Sequence, residues 1–226
     1  MLRKYRALII FIFILFAVGL GAIITFSYLH SFQKLSVSYD QNEVTKLELF
    51  NAVSQNGEAR ATGQAIKTLQ TETEYKLKKG VYLLRASGEK IGTNDTIITL
   101  DKDPLTQHLD PDYSTDYLGA QLANEEPAII TALKDSNPLI SKFYTVNPGT
   151  LYGKGEWYGT TLSYIGTESL KRDTLRVVLH LDNGSWVVTT DPPQIILSAT
   201  SYPTVPKKVL SAVNALDLGE PVLPSR

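Results

Sequence analysis

The chain has 226 residues and a mass of 25.0 kDa, of which 43% are hydrophobic and 20% charged. Its 22 Lys and Arg against 23 Asp and Glu give a net charge of −1, so no bulk field draws it to nucleic acid. The absence of cysteine excludes disulfides, thiolate metal sites, a cysteine nucleophile and acylation on Cys. Composition alone names no chemistry.

The first feature in chain order is an uncharged run over residues 7–29, preceded by Arg3, Lys4 and Arg6. At about 1.5 Å per helical residue it is roughly 35 Å long, enough to cross a ~30 Å hydrocarbon core. The basic flank predicts a cytoplasmic N-terminus with the bulk of the chain outside, as in a single-pass plasma-membrane protein. The run exceeds the ~7–15 residues of a cleaved signal core and ends in no small-x-small site, so an uncleaved signal anchor is expected over residues 1–32. The membrane is then the first expected partner. A pilin-like subunit is the weaker reading, because no early Glu and no processing site accompany the apolar run.

Residues 33–105 read as short strands. Leu35, Val37 and Tyr39 alternate with Ser36 and Ser38, and Leu47 and Leu49 alternate with charged neighbours. Strand patterns recur at 75–78, 81–86 and 96–100, punctuated by Gly and Asn, which predicts a small antiparallel β-sandwich. The run Tyr75-Lys76-Leu77-Lys78-Lys79-Gly80-Val81-Tyr82-Leu83-Leu84-Arg85-Ala86-Ser87-Gly88 resembles the strand, glycine, aromatic, strand, turn core of PEGA-type bacterial surface domains. The family's signature tetrapeptide is absent, and Gly88-Glu89 stands where the family has Gly-Tyr. The resemblance covers under a third of the chain and implies a binding or spacer module without catalytic residues.

Residues 106–115 read as an acidic linker with Pro111 inside it and Pro104 just before. The aspartates around it, Asp101, Asp103, Asp110 and Asp112, with Asp116 beyond, are hard oxygen donors and form a candidate Ca²⁺ site that would stiffen the joint. The EF-hand order of ligands is missing, and solvated Asp-Pro turns and helix caps account for the same residues. No other cofactor is expected.

Residues 116–218 read as an α+β domain. A short helix is expected over 116–123, and a second begins at Pro127, where a missing N–H costs nothing, and stops at Asn137-Pro138. Strands follow at 142–146, 156–165, 173–181, 186–190 and 194–198. Leu175, Val177, Leu179 and Leu181 share one face and point to the core. Asn183-Gly184 supplies the positive φ angles of a two-residue hairpin. Val205, Val209, Ala212, Val213 and Leu216 form one stripe of a closing C-terminal helix. A tail over 219–226 completes the chain. The predicted fold class is therefore α+β: transmembrane helix, small antiparallel β-sandwich, then an α+β domain with an antiparallel sheet and a closing helix.

The three histidines, His30, His108 and His180, stand in no ligand spacing. Ser87 and Lys90 match the SxxK spacing but sit in a turn, and no Lys-Thr-Gly accompanies them. Glu125, Glu126 and Glu156 are the carboxylates available to an envelope hydrolase, although Glu125-Glu126 before a helix is explained by dipole complementarity. The aromatics Tyr144, Tyr152, Trp157, Tyr158 and Tyr164 form a candidate binding surface, since flat rings bury area at low entropy cost. The leading expectation is a binding or scaffold subunit at the cell envelope, engaging other envelope proteins or glycans.

Overall fold

In a computed structural model, residues 16, 31–55, 58–102, 104–166 and 173–216 are described. They divide into two units: the first takes residues up to 89 and 93–110, the second 90–92 and those from 111 on. The division falls inside the stretch read as a linker.

The first unit contains β1 (Phe32–Ser38), β2 (Lys46–Gln55), β3 (Glu58–Thr68), β4 (Glu74–Lys78), β5 (Gly80–Gly88), β6 (Gly92–Leu100) and β7 (Leu105–His108). They form two sheets, one ordered β4-β1-β7 and the other β3-β2-β5-β6. In β1, Gln33, Leu35 and Val37 are buried and their neighbours are not, which is the period-two pattern of a strand with one interior face. Leu47 and Leu49 of β2, Leu84 and Ala86 of β5, and Ile98 and Leu100 of β6 face inward on the same rule. A shift of register between Leu49 and Asn51 lets Phe50 be buried directly after Leu49. The two-sheet arrangement is compatible with a sandwich. One pairing is parallel: Leu35 to Ser38 of β1 lie opposite Leu105 to His108 of β7.

The second unit opens with α1 (Thr115–Ser136), capped by the Ser114 hydroxyl, which accepts from Tyr117 N–H at 3.3 Å. The expected pair of helices is one helix, with Pro127 inside it. Pro127 and Ala123 are both exposed, so the carbonyl that proline leaves without a donor faces water. Asn137 then ends α1 and caps α2 (Pro138–Phe143), its side chain accepting from Leu139 N–H at 3.1 Å.

Five strands follow: β8 (Tyr144–Val146), β9 (Thr150–Tyr152), β10 (Trp157–Tyr164), β11 (Leu175–Asp182) and β12 (Ser185–Val188). The sheet runs β12-β11-β10-β8, with β9 also pairing β10. Asn183 and Gly184 have φ of 47° and 80° and close the β11–β12 hairpin as expected. α3 (Lys207–Asn214) ends the described chain. Residues 194–198 form no strand; Arg176 and Gln194 make a single bridge.

Both faces of this sheet are covered. On one, Tyr158, Leu162, Val177, Leu179 and Trp186 pack with Leu118, Ile129 and Leu133 of α1 and Ile140 of α2. On the other, Val178 packs with Leu197, Leu210 and, from the stripe read for the closing helix, Val205, Val209 and Val213. Arg176 lies on that second face, 8% exposed, and donates to the carbonyls of Val213 (3.2 Å) and Ile195.

The expected fold class is corrected. Among the described residues 45% are strand and 21% helix, so the protein is mostly β rather than evenly α+β. No helix among them is long and apolar enough to cross a membrane. The longest, α1, has 22 residues but carries Asp116, Glu125, Glu126, Lys134 and Asp135. The expectations of a transmembrane helix, a signal anchor and a single-pass plasma-membrane location are corrected on that finding. The segment 7–29 that carried them, apart from residue 16, and the tail 219–226 lie outside the described residues.

Candidate functional site

α1 and β12 border an open groove of about 760 Å³. Glu125, Ala128, Thr131 and Asp135 line it from the helix, and Trp186 and Val188 from the strand. Three and four residues apart, the helical positions fall on one face. The Asn183-Gly184 turn sets the register of β12, which carries Trp186 toward α1; Val187, half exposed, also borders the groove. Trp186 is 7% exposed, meets the Tyr158 ring edge-on at 6.4 Å, and donates from Nε1 to the Glu125 carboxylate at 2.9 Å. That bond fixes the indole as a rigid wall. Among the described residues the lining contains two carboxylates and no basic side chain.

A second cavity, about 350 Å³, lies between the start of α1 and residues 149–153, with Leu118, Leu122, Leu151 and Tyr152 in its lining. Its carboxylate, Asp112, is engaged by the Lys208 ammonium. Gly149 is required here, because a Cβ at this position would stand 2.2 Å from the Tyr158 hydroxyl.

The five aromatics read as a binding surface are divided by strand alternation. Tyr158 is 1% exposed and belongs to the core under α1. Tyr144 packs at the margin of that core and meets Tyr164 edge-on at 5.6 Å. Tyr152 and Trp157 lie against the opposite core, under α3. Trp157 packs against His180 with 4.3 Å between centroids and the rings tilted by 38°, and that histidine is half buried. Burial pushes the Tyr152 and Tyr158 phenols up from their ordinary value. The set is spread over β8, β9 and β10, with Tyr158 buried and the other four half exposed.

The acidic residues read as a Ca²⁺ site are spread along the chain. Asp101 and Asp110 belong to the first unit, Asp112 to the second, and Asp103 lies outside the described residues. Among the described residues no group of three or more His, Asp or Glu is placed to hold a metal ion. His108 shares a hydrogen bond with Ser38 at 3.0 Å, and His30 is not described.

The hydrolase candidates also have structural work. Glu125 and Glu126 lie in the middle of α1, not before a helix, because the helix begins well ahead of Pro127, at Thr115 after the Ser114 cap. Glu125 holds Trp186, and the Glu156 carboxylate accepts from Lys154 N–H at 2.6 Å in the turn before β10. The groove itself was not legible in the sequence beyond Glu125. It depends on β12 being the outermost strand, and only the hairpin signal at Asn183-Gly184 hinted at that.

No family model matches this chain, and no curated protein and no solved structure matches it either.

Proposed function

We propose that this protein is a binding module whose ligand site is the groove between α1 and β12. The observation that carries the reading is the groove's build: an open volume of about 760 Å³ beside an edge strand, walled by an indole that Glu125 holds in place. A wall already held in place needs no ordering when a ligand binds. The two strongest hydrolase candidates, Glu125 and Glu156, each accept a hydrogen bond that organises the fold, which favours binding over paired-carboxylate chemistry. The first unit, in this reading, is a spacer or second binding module, the role implied by its resemblance to PEGA-type domains.

The absence of cysteine makes the test direct. An Ala128→Cys variant carries an environment-sensitive dye in the groove, and a Ser211→Cys variant carries it on the exposed side of α3. Titration with a panel of short peptides and neutral or charged oligosaccharides is expected to give a saturable change at position 128 and none at 211. No response at 128 to any member refutes the reading.

A further inference from the structure

We propose, building on the groove as the binding site, that its occupant is an extended peptide segment bearing a lysine or arginine, which pairs with β12 as an added strand. Among the described residues β12 is an edge of its sheet and pairs with β11 alone. The register fixes which of its backbone groups are spoken for. Asp182 lies opposite Ser185 across a two-residue turn, and Thr189 N–H donates to Val178 carbonyl at 2.9 Å in the same register. In an antiparallel ladder the bonded pairs alternate with non-bonded ones. Ser185 and Val187 therefore turn their backbone groups to β11, and Trp186 and Val188 turn theirs to the open edge. These outward groups stand beside the groove, so a strand laid along them drops every second side chain into it.

Two further features choose the occupant. Natural edges are blunted by lysine, proline or a bulge; residues Ser185–Val188 hold none of these, and Val187 is 50% exposed. Among the described residues the groove lining has Glu125 and Asp135 and no cation, and Glu125 is already engaged by Trp186. Asp135 is the carboxylate left to meet an incoming charge, and a basic side chain complements it. The same charges argue against a second copy of this chain, because an isologous β12–β12 contact would bring the acidic grooves of both copies together.

The test uses the full chain and three synthetic probes: Ac-Thr-Val-Lys-Val-Thr-amide, the same peptide with Glu for Lys, and the Lys peptide N-methylated at alternate amides. Affinity is read by fluorescence polarisation. The Lys peptide is expected to bind at least about tenfold more tightly than either of the others, the range of one good charge pair or strand hydrogen bond. Val188→Pro removes an outward N–H while leaving the β11 ladder intact, and is expected to lose about tenfold. Asp135→Lys is expected to reverse the preference toward the Glu peptide. Tryptophan fluorescence checks that each variant is folded; if Val188→Pro is not, the N-methylated probe removes the same hydrogen bonds from the ligand side. Equal binding of the methylated and unmethylated probes overturns strand addition. Equal binding of the Lys and Glu probes overturns the charge assignment. Concentration-dependent dimerisation lost in Val188→Pro overturns the peptide occupant in favour of a second copy. A dye at position 128 that answers to oligosaccharides and to no peptide overturns this inference and leaves the binding site standing, whereas silence to both removes the site as well.

Discussion

Gly159 and Val213 form a contact in which a single methyl group decides how α3 seats on the sheet. A Cβ built on Gly159 would lie 2.2 Å from Cγ2 of Val213 and 3.1 Å from a Tyr152 ring carbon. Carbon atoms rest at about 3.5–4.0 Å, so Gly159→Ala forces the helix or the strand to give by roughly 1.3 Å or more. Overpacking of this kind costs about 1–3 kcal/mol. Val213, fully buried, loses two methyl groups in Val213→Ala, at about 0.8 kcal/mol each. The cavity left behind brings that cost to about 2–3 kcal/mol. Independent effects would sum to about 3–6 kcal/mol, but the new methyl of Ala at 159 enters the volume that Val213→Ala vacates. The double variant is therefore expected to cost no more than the worse single one, a coupling of about 1–3 kcal/mol. The assay is urea unfolding followed by tryptophan fluorescence. The chain's two tryptophans, Trp157 and Trp186, both belong to the second unit, so the signal reports that unit alone. Additivity within about 0.5 kcal/mol would refute the claim that these two positions share one space.

Three further outcomes are expected from the same assay. Arg176→Met leaves the Val213 and Ile195 carbonyls without their buried donor and should cost about 2–4 kcal/mol; an unchanged urea midpoint contradicts the role given to the guanidinium. Gly184→Ala meets no atom within 4 Å but must hold φ near 80°, so it should lose about 1 kcal/mol through backbone strain alone. A loss near 3 kcal/mol would mean that the hairpin tip makes contacts beyond those described. Raised tyrosine values fix an alkaline limit. Below the ordinary value near 10 both folded and unfolded chains keep the Tyr152 and Tyr158 protons, and burial of the neutral phenols carries no penalty. Above it the unfolded chain ionises first, and stability falls as pH rises through the raised folded values. The urea midpoint should drop above about pH 10, and Tyr158→Phe should flatten that drop; an unchanged slope in the variant assigns the limit elsewhere.

Much of the fold was legible wherever burial alternates. β1 alternates in burial, β4 sets Tyr75 and Leu77 on one face, β11 carries Leu175, Val177, Leu179 and Leu181 at every second place, and the stripe Val205, Val209 and Val213 is buried. β3 was missed because its residues from Thr62 to Lys67 are exposed almost throughout, so no periodicity marks it; pairing with β2 makes it a strand. The continuous α1 was missed because Pro127 is a strong local signal, yet a proline whose lost partner carbonyl faces water does not end a helix. Residues 194–198 looked like a strand from their β-branched side chains, but Ile195 and Ile196 are 48% and 71% exposed and only Gln194 finds a bridge. The site was the least legible part. An edge becomes an edge through the order of strands, which residue type does not encode, and the aromatic cluster that composition favoured is consumed by two cores.

The parallel pairing of β1 with β7 gives the first unit a mechanical character. β1 is the first described strand of the unit and β7 its last, and the two run side by side in the same direction over four register pairs. Tension applied between residue 31 and residue 110 pulls these strands along their own axes in opposite senses. Every bond of the patch is then loaded at once, instead of one after another as in an unzipping hairpin. The first unit therefore resists extension between these two points until the whole four-pair patch shears.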